Sequence, residues 1–147
     1  MDQRERILRA GVRLRLSATG ETEAIRELAE SLREEPDVID FDGFVAAVLK
    51  RQQIDPPVLG EGIAMPHART ECVRSIVTAF GIADTPIPFG PGRTPVQFLV
   101  LIGTPPNRAS EYLAWVSGLV RRLARPDVRA ALLVSATPAD CLRTLAE

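Results

Sequence analysis

The sequence predicts an α/β fold, a layered single domain spanning residues 1–147, and three observations favour it. The run VQFLVLIG at 96–103 is nearly all apolar, as expected of a central strand covered on both faces. Helical stripes interleave with shorter strand patterns along the rest of the chain. A length of 147 residues, with 46% hydrophobic and 25% charged residues, is that of one ordinary globular domain.

The first elements are a short strand and an amphipathic helix. Residues 12–16 alternate apolar and basic side chains, which predicts a strand with one buried face. Thr19 or Thr22 is the predicted cap of the helix that follows, whose apolar stripe extends to Leu32. The charged residues and proline at 34–36 end it.

A second helix is predicted to begin after Asp40, a plausible N-cap. Its apolar stripe lies within 41–49, and Arg51 falls in its last turn. The sequence Asp-Pro-Pro at 55–57 ends the helix, because proline cannot donate a backbone hydrogen bond.

Strands are predicted in the middle of the chain. Residues 72–83 are rich in β-branched and apolar side chains, and the turn-rich segment 84–92 closes that strand. The apolar run at 96–103 follows and is broken by Thr-Pro-Pro-Asn at 104–107.

Helices are predicted for the remainder of the chain. Ser110 is the predicted cap of the clearest of them, and Trp115 is predicted to flank its apolar stripe. Two short helices are predicted at 127–134 and 138–145. The stripe of the first of these three helices consists of Leu113, Val116, Leu119, Val120 and Leu123.

Charge and composition exclude several classes of function. The 18 basic and 19 acidic residues nearly cancel, which disfavours a nucleic-acid partner. The arginines clustered at 4–15 and at 121–129 are predicted to form solvated faces, with docking of an acidic partner as the alternative. Cys72 and Cys141 lie far apart, which indicates reduced thiols in the cytoplasm rather than a disulfide framework. We expect no signal peptide and no direct membrane insertion, because no run approaches about 20 apolar residues.

The candidate functional residue is His67, the only histidine of the chain, in the run LGEGIAMPHAR at 59–69. Gly60 and Gly62 precede an apolar segment that Pro66 ends, a pattern that predicts a loop, a buried strand and an abrupt exit. A histidine at the end of a buried strand faces the crevice in which open α/β sheets carry their chemistry. From the residue types alone, the alternative is a structural or merely exposed histidine. A metal site has little support, because a single histidine without a cluster of carboxylates or thiols does not supply enough ligands.

The run GIAMPH resembles the phosphorylation-site motif G-I-A-[IV]-P-H of the enzyme IIA proteins of the phosphoenolpyruvate:sugar phosphotransferase system, in the fructose, mannitol and nitrogen-regulatory class. The resemblance extends over most of the chain. Arg51 precedes His67 by sixteen positions, as the family arginine does, and Gly60 and Gly62 fall where the family has glycines. The resemblance implies a single-domain three-layer sandwich with a mixed β-sheet flanked by helices.

The resemblance also implies a function and its site. His67 would accept a phosphoryl group from the phosphohistidine of an HPr-like phosphocarrier protein, and the domain would pass it to an enzyme IIB or use its phosphorylation state for regulation. Arg51 would stabilise the phosphoryl, and the backbone N–H groups around Gly60 and Gly62 would approach it. Neutral imidazole is a competent nucleophile near pH 7, so no cofactor and no metal is expected. A homodimer is left open.

The chain departs from the family pattern at three places: Gln52 replaces a glutamate, Pro56-Pro57 replaces Ser-Thr, and Tyr112 stands where many members have a second histidine. A tyrosine hydroxyl cannot be cationic at neutral pH, so Tyr112 should stabilise a phosphoryl group less well. Two hypotheses follow. The chain is a phosphocarrier, or it is a regulatory module that binds a target protein on the same fold with weak or lost transfer.

Overall fold

A computed structural model describes residues 1–54 and 58–147. The predicted end of the second helix, at 55–57, lies outside the described residues. In chain order the elements are α1 Gln3–Leu8, β1 Gly11–Arg13, α2 Glu21–Ala29, α3 Phe41–Ile54, β2 Val58–Gly60, β3 Ile63–Ala64, β4 His67–Arg69, β5 Val77–Phe89, β6 Thr94–Thr104, α4 Ala109–Leu123, α5 Pro126–Leu133 and α6 Pro138–Ala146.

The strands form one mixed sheet in the order β1-β5-β6-β3-β2, and β4 also pairs with β6. β5 and β6 are antiparallel, whereas β3 and β4 both run parallel to β6. The apolar run predicted to be a central strand therefore lies in the middle of the sheet, as β6, which confirms that prediction.

Helices cover both faces of this sheet, so the predicted three-layer sandwich is confirmed. Leu99 and Leu101 of β6 belong to a first core with α2 and α3, whereas Val100 and Ile102 belong to a second core with α1, α4, α5 and α6. Successive residues of a strand point to opposite faces, which explains why an apolar run without alternation serves both cores.

The helix caps differ in part from the prediction. Gly20 is the N-cap of α2 and makes no side-chain cap bond, so the prediction of Thr19 or Thr22 was wrong. Asp40 does cap α3: its Oδ1 accepts a hydrogen bond of 3.0 Å from the N–H of Gly43. Thr137 caps α6 through the N–H of Asp140.

The predicted strand boundaries also need correction. β1 ends at Arg13, and β5 begins at Val77 instead of Cys72. β5 then continues to Phe89, through most of the segment predicted as a turn, because Ile87–Phe89 pair with Thr94–Val96 after a register shift.

The first turn and the buried face of α4 were predicted wrongly. The helix begins at Ala109 after Arg108 and has no side-chain cap, so Ser110 is not its cap. Trp115 is buried at its centre, while Leu113 of the predicted stripe is 65% exposed. The indole Nε1 donates to the buried hydroxyl of Thr78 over 2.9 Å, which satisfies its polar atom inside the second core.

The amino-terminal helix α1 was not predicted. Its Ile7 is fully buried in the second core. The side chain of Arg6 is 11% exposed, lies over the ring of Trp115 and forms an ion pair with Glu111, so it does not belong to a solvated face. Among the described helices, none combines the length and apolar character that crossing a bilayer requires.

Candidate functional site

His67 is the first residue of β4 and is half-buried. β3 ends at Ala64, and the N–H of Ile102 donates to the carbonyl of Pro66 over 3.0 Å. We predicted that the histidine stands at the end of the buried strand, and that prediction was wrong. His67 begins a new strand instead. It pairs with Ile102 on the central strand β6, which fixes its backbone.

The imidazole of His67 is oriented by its own chain. Its Nδ1 lies 2.8 Å from the carbonyl oxygen of Met65. A carbonyl oxygen can only accept a hydrogen bond, so Nδ1 carries the proton of the neutral ring. Nε2 then carries the lone pair, and it is the ring atom able to act as a nucleophile.

A cavity of about 540 Å³ opens beside His67. α3 lines it with residues spaced as one helical face, and α4 lines it with its first turn. The charged side chains among the described lining residues are all basic: Lys50, Arg51 and Arg69. The other lining residues are Ala47, Ile54, Ala68, Thr104, Pro105, Ala109, Tyr112 and Leu113. The cavity thus combines an oriented imidazole with positive charge, which suits an anionic group.

Tyr112 faces His67 across this cavity. The two ring centroids are 6.0 Å apart. Burial raises the pKa of Tyr112, and the positive charge of Arg51 opposes that shift, so the guanidinium acts on the phenol. The structure therefore brings together three residues that the sequence singled out: His67, Arg51 and Tyr112.

Gly60 and Gly62 are not brought to the cavity. Gly60, the last residue of β2, and Gly62, in the turn that follows, both have positive φ, 104° and 73°, which explains glycine at these positions. The carbonyl of Gly62 accepts hydrogen bonds from the N–H groups of Gln97 and Phe98. Phe98 lies four positions before the partner of His67 on β6, a separation of about 13 Å along a strand. These glycines therefore form the turn that precedes β3 and are not among the described lining residues of the cavity.

Gln52 follows Arg51 in sequence but points away from the cavity. It is 6% exposed, and its Nε2 donates to the carboxylate of Glu21 over 2.7 Å. The glutamine therefore joins α3 to the first residue of α2 rather than orienting Arg51. Pro56 and Pro57, the other departure on this side, lie outside the described residues.

The first turn of α4, which carries Tyr112, is held by charge instead of a cap. Glu111 accepts hydrogen bonds from Arg108, over 3.0 Å, and from Arg6 of α1. These bonds, from Arg108 first, lower the pKa of the Glu111 carboxyl despite its partial burial. The ion pair with Arg6 ties the start of α4, which carries Tyr112, to α1.

Sequence reasoning missed Lys50 at this site. Its position immediately before Arg51, three residues after Ala47, places it on the same helical face, which is the signal that would have found it. No group of three histidine, cysteine or acidic side chains suited to hold a metal occurs in the described part of the chain.

Comparison with known proteins identifies relatives of this chain. Residues 7–147 match the family described as "Phosphoenolpyruvate-dependent sugar phosphotransferase system, EIIA 2". The 2-O-alpha-mannosyl-D-glycerate-specific EIIABC component of Escherichia coli is 30% identical over 130 residues, 86% of this chain but 20% of that protein. The fructose-specific EIIA component of Haloferax volcanii is 32% identical over 111 residues, covering 75% of this chain and 72% of that protein.

A solved structure extends the comparison to the fold. The complex of enzyme IIA for mannitol with phosphorylated enzyme IIB for mannitol, from Escherichia coli, superposes with a TM-score of 0.78 and 25% identity. The match covers 92% of this chain and 94% of the other.

Proposed function

Because the chain belongs to the EIIA 2 family of the phosphoenolpyruvate-dependent sugar phosphotransferase system, we propose that it is a phosphocarrier whose acceptor atom is Nε2 of His67. Family membership implies a phosphocarrier role in such a system. The observation that carries the assignment to one atom is the bond between Nδ1 and the carbonyl of Met65, which leaves the lone pair on Nε2.

The donor we propose is the phosphohistidine of an HPr-like phosphocarrier protein. Nε2 of His67 attacks the phosphorus, and the bond from phosphorus to the donor nitrogen breaks with its electron pair remaining on that nitrogen. A donor ring protonated on its other nitrogen leaves as neutral imidazole, while His67 keeps its Nδ1 proton toward Met65. Both sides of the exchange then carry the same charge and the same number of protons.

Arg51 and Tyr112 support this transfer in different ways. The guanidinium of Arg51 carries a permanent charge and a fork of donors suited to phosphoryl oxygens. The phenol of Tyr112 donates one hydrogen bond and adds no charge. Both side chains line the cavity beside His67, so both lie next to the space that a phosphoryl group on Nε2 would occupy.

The acceptor we propose is an enzyme IIB, the partner of the related mannitol protein in its solved complex. Two apolar side chains at the cavity, Ile54 and Leu113, are 73% and 65% exposed. Apolar side chains surrounding a reactive group are suited to exclude water from the junction between two proteins. We propose that donor and acceptor dock in turn on this rim.

Phosphorylation of the purified protein tests the proposal. Incubation with phosphoenolpyruvate, enzyme I and HPr should add one phosphate to the intact mass, and the gain should disappear in His67→Ala. Mass analysis is done without acid, because phosphohistidine is acid-labile. A wild-type protein that takes no phosphate from any of a panel of HPr-like donors contradicts the proposal, as does a His67→Ala variant that still gains one.

A second candidate function is favoured by Tyr112, which fills the position of a second histidine and faces His67 at 6.0 Å. In this alternative the domain is a regulatory module that docks on a target protein, and transfer is weak. Pull-down with wild type, His67→Ala and His67→Asp separates the ideas. Equal capture of a target by all three argues against docking controlled by phosphorylation.

A further inference from the structure

The cavity beside His67 holds side chains that occur once in the chain. His67 is the only histidine, Tyr112 the only tyrosine, and Lys50 the only lysine among 18 basic residues. All three line the same cavity. Lys50 has no part in the function proposed so far, and it is the one of the three that carries a full positive charge at neutral pH.

The position of Lys50 follows from the geometry of α3. Residues 47, 50, 51 and 54 are spaced as one face of a helix, and all four line the cavity. Lys50 and Arg51 are consecutive and flank the same space, with Lys50 the more exposed of the two. The ammonium of a lysine ends a flexible four-carbon stem, so it can follow an oxygen that moves during transfer, which a planar guanidinium does less easily.

The charge balance of the cavity explains what such a lysine can do. A phosphoryl group on His67 brings close to two negative charges to a half-buried ring, and the Nδ1 proton that the ring keeps offsets one of them. Tyr112 cannot compensate the rest, because a phenol has no cationic form; burial raises its pKa, which only keeps it from becoming an anion. Among the described lining residues, compensation comes from Arg51, Lys50 and Arg69.

We infer that Lys50 is a phosphoryl-binding residue of this site, whose ammonium contacts the phosphoryl oxygens on His67 and supplies charge that Tyr112 does not. The inference rests on the proposed function. Lys50 would act through ionic hydrogen bonds alone, so its role involves no covalent step and needs no further reactant.

The first test compares variants in the phosphorylation reaction. Lys50→Gln removes the charge, Lys50→Arg keeps it, and Arg4→Gln removes one charge from an exposed position outside the described cavity lining. With phosphoenolpyruvate, enzyme I and HPr, we expect Lys50→Gln to take up phosphate roughly five- to tenfold more slowly than wild type. Lys50→Arg should recover most of the rate and Arg4→Gln should match wild type. Circular dichroism verifies that all variants are folded.

The second test separates contact with the phosphoryl from contact with the donor protein. The phosphorylated protein is freed of its donor and pulsed with an amine-acetylating reagent at alkaline pH, where phosphohistidine survives. The α-amino group of the expressed chain is the internal reference, and peptide mass spectrometry gives the ratio. Because a bound dianion raises the pKa of an ammonium, we expect the amine of Lys50 to react about threefold more slowly after phosphorylation.

The outcomes of the two tests distinguish a failure of the proposed role of Lys50 from a failure of the proposed phosphocarrier function. A phosphorylated wild type with unchanged Lys50 reactivity, or a Lys50→Gln variant as fast as wild type, overturns the role of Lys50 and leaves the function standing. Slow transfer without protection of the amine also overturns it, because Lys50 then acts on the donor. A wild type that takes no phosphate overturns both.

Discussion

Tyr112 faces His67 across the cavity with a neutral phenol. Its ring lies 6.0 Å from the imidazole, centroid to centroid, and burial raises the pKa of its phenol. The hydroxyl therefore stays protonated and neutral up to a higher pH than that of an ordinary tyrosine. Over the range in which a histidine titrates, wild-type Tyr112 contributes no change of charge to the cavity.

We expect Tyr112→His to accelerate phosphorylation of His67, and to do so in a manner that depends on pH. A histidine titrates near about 6.5, so the new side chain is cationic at pH 6 and neutral at pH 8. The ratio of variant to wild-type rates, measured with the same donor, should be about threefold or more at pH 6 and near one at pH 8. Because both rates are measured with the same donor, the ratio removes the pH dependence of the donor.

Tyr112→Phe is the matched control for that variant, since it keeps the ring and removes the hydroxyl. It should give a rate ratio that is independent of pH over this range. A Tyr112→His ratio that is flat between pH 6 and pH 8, or that rises with pH, would show that charge at this position does not act on the phosphoryl.

The residues of the site were predictable to different degrees. The separation of Arg51 and His67, and the place of Tyr112, were read from the family pattern, and the structure gathers all three at one cavity. Gly60 and Gly62 lie closer to His67 in sequence but are remote in space, because an extended chain moves about 3.3 Å per residue. Distance along a sequence predicts distance in space only inside one element, or where a turn reverses the chain.

The helix α4 shows why an apolar stripe can give the wrong buried face. Counting Leu and Val selected a stripe through Leu113, which is 65% exposed, and left Trp115 at its flank. The indole is buried because Thr78 of β5 accepts its N–H and Arg6 covers its ring. Both partners are distant in sequence, so local periodicity carries no information about them.

Asp40 was predicted from the sequence to be the N-cap of α3, and the structure confirms it. The contribution of this cap to stability can be measured. Asp40→Ala removes the oxygen that accepts the N–H of Gly43. We expect the free energy of unfolding to fall by about 1 kcal/mol, the ordinary cost of an N-cap. Urea denaturation measures it. Asp40→Asn keeps an acceptor at the same place and should lose much less, and equal losses for both variants would mean that the charge, and not the cap bond, stabilises the helix.

The two cores are joined through the central strand. β6 sends Leu99 and Leu101 into the first core and Val100 and Ile102 into the second. The layered class was predictable because a short, β-branched apolar run bounded by turn residues is typical of a strand covered on both faces. The order of strands was not, because the pairing of β3 and β4 with β6 depends on contacts far apart in sequence.

Phe44 and Trp115 allow the coupling of the two cores to be measured. Phe44 is fully buried in the first core, over Gly103, where an added Cβ would come within 2.6 Å of its ring. Trp115 is the only tryptophan and lies in the second core, on the other face of the sheet. The fluorescence of Trp115 therefore reports on a layer that Phe44 does not touch.

Phe44→Ala should lower the free energy of unfolding by about 3–5 kcal/mol through the lost burial and the cavity left behind. Neither core is complete without β6, so we expect one cooperative transition. The urea midpoint from Trp115 fluorescence should then shift as far as the midpoint from far-ultraviolet circular dichroism. Val134→Ala, at a side chain 81% exposed, is the control and should change stability by less than about 0.5 kcal/mol. A Trp115 transition that stays at the wild-type midpoint while the dichroism shifts would mean that the second core unfolds independently of the first.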